Sequence, residues 1–136
     1  MRIIITEEQF NRFNRSSNVL QNGIIKYLNL YISEGKRTFR TKNNNFGNLS
    51  EDWCVDNVNS ITAIYYFEDG KFDSGHLIVD NNFVNKISEI FSVKKSYVFH
   101  VIEEWYDEVM VPKFEELVNE SGLNIDEIDS VEKESR

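Results

Sequence analysis

His100, Glu103, Glu104 and Asp107 fall at i, i+3, i+4 and i+7. On a helix this spacing puts one imidazole and three carboxylates on a single face. Such a set can share a cation. A di-metal bundle needs a matching set on other helices, and the only other histidine is His76. The expectation is therefore a solvated acidic face, with no metal and no cofactor. Nucleophilic catalysis would need Cys54 or a serine beside a histidine. Cys54 follows Trp53 without a local signature, and a buried thiol is the commoner fate of a lone cysteine. The six glycines are scattered and form no phosphate loop. No catalytic residue is assigned, and the chain reads as non-enzymatic.

The segment from Ile87 to Ile102 has the apolar spacing and short turn of a helix-turn-helix. Ser88 stands where a small residue lets two helices cross. Ser92 stands where that motif usually carries glycine. On this reading Lys94, Lys95, Ser96, Tyr97 and His100 face nucleic acid. The same helix continues into Glu103, Glu104, Asp107 and Glu108, which duplex phosphate would repel. The acids are better used against a protein. Glu103, Glu104, Tyr106, Asp107 and Glu108 are the expected partner-binding residues, with an aromatic edge of Tyr106, Phe99 and Trp105 beside the charge. Trp105 is the member of that edge most expected in the core.

Charge placement supports this choice. The net charge is −8, from 15 basic and 23 acidic residues. Residues 1–45 hold eight basic and three acidic residues, +5, and the rest carries −13. Residues 103–136 hold twelve acids and three bases, −9. Such an asymmetry steers and orients partners. The expected partner is a protein with a basic surface. Nucleic acid is the alternative, and a third reading is an acidic decoy that occupies a nucleic-acid-binding protein. Self-association is left open.

The elements that must position these residues follow from periodicity and punctuation. The chain has 136 residues, 40% of them apolar, with ten Phe, six Tyr and two Trp. That suffices for one domain with a core and no staples. One cysteine forms no internal disulfide, which fits a reducing compartment. The Met1–Phe10 stretch lacks a secretory apolar region, and no stretch is long enough to span a membrane. The expected location is a cytosol, or a particle assembled in one. Ala and Pro occur once each, against sixteen Asn and fourteen Ile, which points to an AT-rich genome.

The fold expected is α+β in one mostly helical domain, with one antiparallel β-hairpin and a C-terminal helix hairpin. A short strand over Arg2–Ile5 precedes a capping box at Thr6–Gln9 and a helix over Glu7–Arg15. Ser16-Ser17-Asn18 then reads as a break. A second helix over Val19–Glu34 carries a stripe of Leu20, Ile24, Leu28 and Ile32, with Gly35 as a left-handed terminator. Residues 36–48 read as a basic loop, with a strand near Thr38–Thr41. Ser50–Val58 fits a helical turn or a strand equally. Ile61–Phe67 and Phe72–Val79 form a hairpin about Asp69-Gly70, with Gly75 as a bulge. A helix pair follows, over 81–92 with Phe83, Ile87, Ile90 and Phe91 apolar, and over 94–110. Pro112 opens a further short helix. Residues 123–136 read as an acidic extension, with a capping box at Asn124–Glu127 and frayed residues 131–136.

The opening Ile3-Ile4-Ile5-Thr6-Glu7-Glu8-Gln9 and the later Val101-Ile102-Glu103-Glu104-Trp105-Tyr106 flank this helix, hairpin and helix order. Together they resemble small uncharacterised proteins of tailed phages and marine metagenomes. The resemblance is limited to those two stretches and transfers no residue roles. It implies a phage-encoded accessory or virion protein.

Overall fold

A long helix, a four-strand meander, a run of helices and a last strand follow one another along the chain. The computed structural model describes residues 7–42, 52–120 and 128–136, and side chains from residue 18 onward. Helix α1 runs Glu7–Glu34, and strands β1 to β4 run Arg37–Thr41, Trp53–Val58, Ile61–Glu68 and Lys71–Val79. Helices α2 (Asn81–Phe91) and α3 (Lys95–Trp105) follow. A π-helical turn at Tyr106–Met110 leads into α4 (Val111–Glu120), and β5 is Val131–Ser135. The architecture is α+β, as expected. It contains more strand than one hairpin.

The sheet order is β1-β2-β3-β4-β5, antiparallel through β4, with β5 parallel to β4. Asp69 and Gly70 turn the β3–β4 hairpin with φ of 51° and 77°, the two positive values that a type I′ turn needs. Asn59, with φ 47°, turns β2 into β3. Asn tolerates the left-handed region better than most residues. The register shifts between Tyr66 and Phe67, not at Gly75. Strand β1 occupies the front of the stretch read as a basic loop. Strand β5 replaces the frayed end, because its backbone pairs with Gly75–Val79 and the Asn81 amide donates to the Arg136 carbonyl at 2.7 Å. Ser50–Val58 resolves into β2 from Trp53 onward.

Helix α1 is continuous through Ser16-Ser17-Asn18. Twenty-eight residues give it a length of about 42 Å, and its inner stripe buries Ile24 and Leu28 fully. The Phe91 ring lies over Gly23, where an added Cβ would come within 2.9 Å of it. Glycine costs a helix interior roughly 1 kcal/mol relative to Ala, and here it lets Phe91 of α2 seat against α1. Gly35 ends α1 without a left-handed φ. Its amide donates to the Tyr31 carbonyl at 2.8 Å, and it sits against Val58. The Asp80 carboxylate caps α2 by accepting from the Asn82 amide at 2.8 Å. On the inner side of α2, Phe83, Val84 and Ile87 are buried. Ile90, expected on that apolar side, is instead 53% exposed.

The core lies between the helices and one face of the sheet. It joins Ile24, Ile87, Val98, Ile102 and Trp105 to Val58, Ile61, Tyr65, Leu77 and Val79. Tyr65 stacks on Phe114 at 4.0 Å between centroids. The Trp105 indole N–H donates to the Asn29 side chain at 2.9 Å, tying α3 to α1. The Arg2–Ile5 strand, Thr6 of the Thr6–Gln9 box, residues 43–48, Gly122 and the Asn124–Glu127 box lie outside the described residues.

Candidate functional site

The two chemistries expected of the α2–α3 region are carried by different stretches of one helical rod. At its start, Ser92 adopts φ 53°, ψ 46°. A serine thus takes the left-handed turn that glycine usually provides. The Val93 amide donates to the Ser88 carbonyl at 3.1 Å, and the Ser88 hydroxyl donates to the Val93 carbonyl. Lys94, Lys95, Ser96 and His100 are exposed. Tyr97 and Phe99 are half-buried against the core. The His100 ring lies 3.1 Å from the Glu104 carboxylate, so the basic end of α3 carries its own acid one turn on.

Further along, the expected partner-binding residues separate. Glu104 and Asp107 are exposed but engaged. Glu104 accepts from the Gln21 amide of α1 at 3.1 Å, and Asp107 accepts from Lys133 of β5 at 2.9 Å. Glu108 is exposed and Glu103 half-buried. Tyr106 is not a surface residue: it is fully buried. It stands four residues after Ile102 and continues the buried α-helical stripe of Val98, Val101, Ile102 and Trp105. The Val111 amide bonds the Tyr106 carbonyl, one residue farther back than in an α-helix. This re-phases the rod beyond Tyr106, so that the buried side passes to Met110, Val111, Phe114 and Val118. Among the described residues no three His, Cys, Asp or Glu side chains are grouped as a metal site.

Beneath the π turn lies a polar cluster that periodicity did not reveal. Arg37 of β1 donates from Nε and Nη2 to the two Asp56 oxygens of β2, at 2.9 and 2.7 Å. Nη2 also donates to the Met110 carbonyl at 3.3 Å, and the guanidinium lies 4.7 Å from the Phe39 ring centroid. Asp56 is fully buried. The Tyr65 and Tyr106 hydroxyls share a hydrogen bond of 2.6 Å. Burial pushes the Asp56 carboxyl above its ordinary value, and the bonds and charge of Arg37 pull it back. Burial likewise raises both phenols, with the Asp56 charge adding to the rise. A hint was present in the sequence: Asp56 sits between apolar Cys54 and Val58 in a run of alternating residues.

Cys54 is buried beside this cluster, opposite Tyr65 on the neighbouring strand. Burial, and then the Asp52 charge, push its thiol up to about 12. It faces the helices, whereas His76 pairs with Ile64 on the opposite face of the sheet. A Cys54–His76 couple is therefore excluded by the register. Every buried side-chain polar atom among the described residues has a partner. The cluster joins β1, β2, β3 and the π turn through direct hydrogen bonds. Its bonds make it a joint between the sheet and the helical layer.

The other face of the sheet is open among the described residues. Trp53, Val55, Ile64, Tyr66 and Ile78 point away from the core, and none belongs to it. Trp53 and Tyr66 are directly paired and 38% and 41% exposed. His76 stands edge-on to Tyr66 and 3.4 Å from Glu132. No helix among the described residues is long and apolar enough to cross a membrane. No family model matches the chain, and neither a curated protein nor a solved structure matches it.

Proposed function

We propose that this is a non-enzymatic interaction protein, a phage-type accessory or virion component, that binds a basic protein surface through the α3–π–α4 rod. What supports this reading is the charge carried by that rod. Residues 103–120 hold seven acids and one base, and Glu104, Asp107, Glu108, Glu116 and Glu120 are exposed along it. Such a surface attracts a basic partner over a Debye length, about 8 Å at physiological salt, and repels nucleic acid. A partner that itself binds nucleic acid fits the same chemistry. Tyr106 is removed from the binding set. The contact residues are Glu103, Glu104, Asp107 and Glu108, with the α4 carboxylates continuing the surface.

Capture from a lysate of the source cell tests the proposal. Wild type should retain a partner that a Glu104→Lys, Glu108→Lys variant loses and a Lys94→Ala, Lys95→Ala variant keeps. Added duplex should displace the partner if that partner binds nucleic acid. The Ser92 turn and exposed Lys94, Lys95 and His100 favour a second reading, nucleic-acid binding at the start of α3. Salt-sensitive duplex binding that disappears with Lys94→Ala, Lys95→Ala would replace the first reading with it.

A further inference from the structure

We infer that the open face of the sheet binds a second copy of this chain, with the two sheets packed face to face about a two-fold axis along β3. That face is a different surface from the acidic rod, and the two are tested separately.

Charge is graded across the rows of the open face. One row reads Arg40, Val55, Ile64, His76 and Glu132, from β1 to β5. It is basic at one edge, apolar in the middle and acidic at the other edge. The next row reads Thr38, Asn57, Thr62, Ile78 and Glu134. Arg40 is exposed, and the Glu132 side chain keeps 80% of its exposure despite its contact with His76. Glu134 is paired with Arg136 at 2.9 Å. With five strands, β3 is the middle one.

Two sheets facing each other can be related by an axis across the strands or along them. An axis across the strands lays β1 on β1 and β5 on β5, so Arg40 meets Arg40 and Glu132 meets Glu132. An axis along β3 lays β1 of one copy over β5 of its mate. Arg40 then meets Glu132, Val55 meets His76, and Ile64 and Tyr66 meet their own equivalents. Only the second arrangement is complementary in charge, and it is self-complementary as an isologous interface requires. Aligned sheets pack about 10 Å apart, close enough for both charged edges to pair. Five strands at about 4.8 Å spacing and roughly six residues long give a patch about 24 Å by 20 Å. That is at the small end of specific interfaces, so the dimer should dissociate on dilution.

The test is sedimentation of the full chain over a concentration series, with circular dichroism as the check on folding. Wild type should move from monomer to dimer as concentration rises. Arg40→Glu and Glu132→Arg should each raise the dimer dissociation constant at least tenfold when alone, because each then opposes like charges. Mixed one to one, the two variants present complementary charge at both edges and should form a mixed dimer about as readily as wild type. A wild type that stays monomeric at every concentration overturns the inference. So do folded single variants that dimerise unchanged, and a mixture that fails to associate while both variants are folded.

Discussion

The two faces of the sheet are built from the same strands, one residue out of step, and they treat polar groups in opposite ways. Arg37, Asp56 and Tyr65 face the helices, and each has its partners within the fold. Arg40, His76 and Glu132 face away, with Glu132 still 80% exposed. On the inner face a polar group costs free energy unless it is bonded, so every removal leaves a partner stranded. On the outer face water replaces a lost partner at little cost. The inner polar set therefore serves the architecture, and the outer set is available to something else.

The largest test of that contrast is Asp56→Ala. It leaves the Arg37 guanidinium without its carboxylate and should cost about 3–5 kcal/mol in denaturant unfolding. A loss below about 1 kcal/mol would show that the inner pair is not what joins β1 to β2. Removing both charges with Arg37→Met, Asp56→Leu should recover part of the loss, because no stranded ion remains.

Smaller effects are expected at the tyrosine pair. Tyr65→Phe or Tyr106→Phe alone should cost about 1–3 kcal/mol, and the double variant less than the two losses combined. The same groups give a pH signature. Cys54, Tyr65 and Tyr106 all have folded-state values raised above those of the unfolded chain. The stability gained by keeping them protonated is complete below about 8.5 for a thiol and about 10 for a phenol. It is lost as pH rises from there towards the folded-state values. Tm should fall steeply between about pH 9 and about 11, and Tyr65→Phe, Tyr106→Phe should flatten that fall. Smallest of all is Glu104→Gln. It disturbs exposed contacts to His100 and Gln21, and unfolding should change by about 0.5 kcal/mol or less. A large loss there would erase the distinction between inside and outside.

The parts of this fold that were legible in the sequence are those where local chemistry and tertiary packing agree. Asp69-Gly70 demands a tight hairpin and makes one. Asp80 caps α2, and Pro112 lies in the first turn of α4. The illegible parts are those where tertiary context overrides the local signal. Ser16-Ser17-Asn18 favours a cap, yet the backbone of α1 runs on through it. Strand β2 holds Asp56 and Asn57, which argue against a strand until Arg37 and Thr62 are seen bonding to them. Strand β5 is mostly charged, and only its pairing with β4 makes it a strand. Of the candidate surface residues, Glu104, Asp107 and Glu108 are exposed, as the helical period implies, and Tyr106 is not. The same period puts Tyr106 inside, four residues after Ile102, and it is broken only by the π turn that follows.

The π turn has a consequence for how this chain tolerates insertion and deletion. Trp105 and Phe114 are both buried, nine residues apart. At about 100° per residue, nine residues of uninterrupted α-helix would point them to opposite sides, about 180° apart. Eight residues would leave them about 80° apart, on one side. The turn thus absorbs one surplus residue. A chain lacking Glu108 could run as plain α-helix from Lys95 to Glu120 and still present Phe114 and Val118 to the sheet. One residue lost from the middle of α1 or α3 would instead rotate everything after it out of the core.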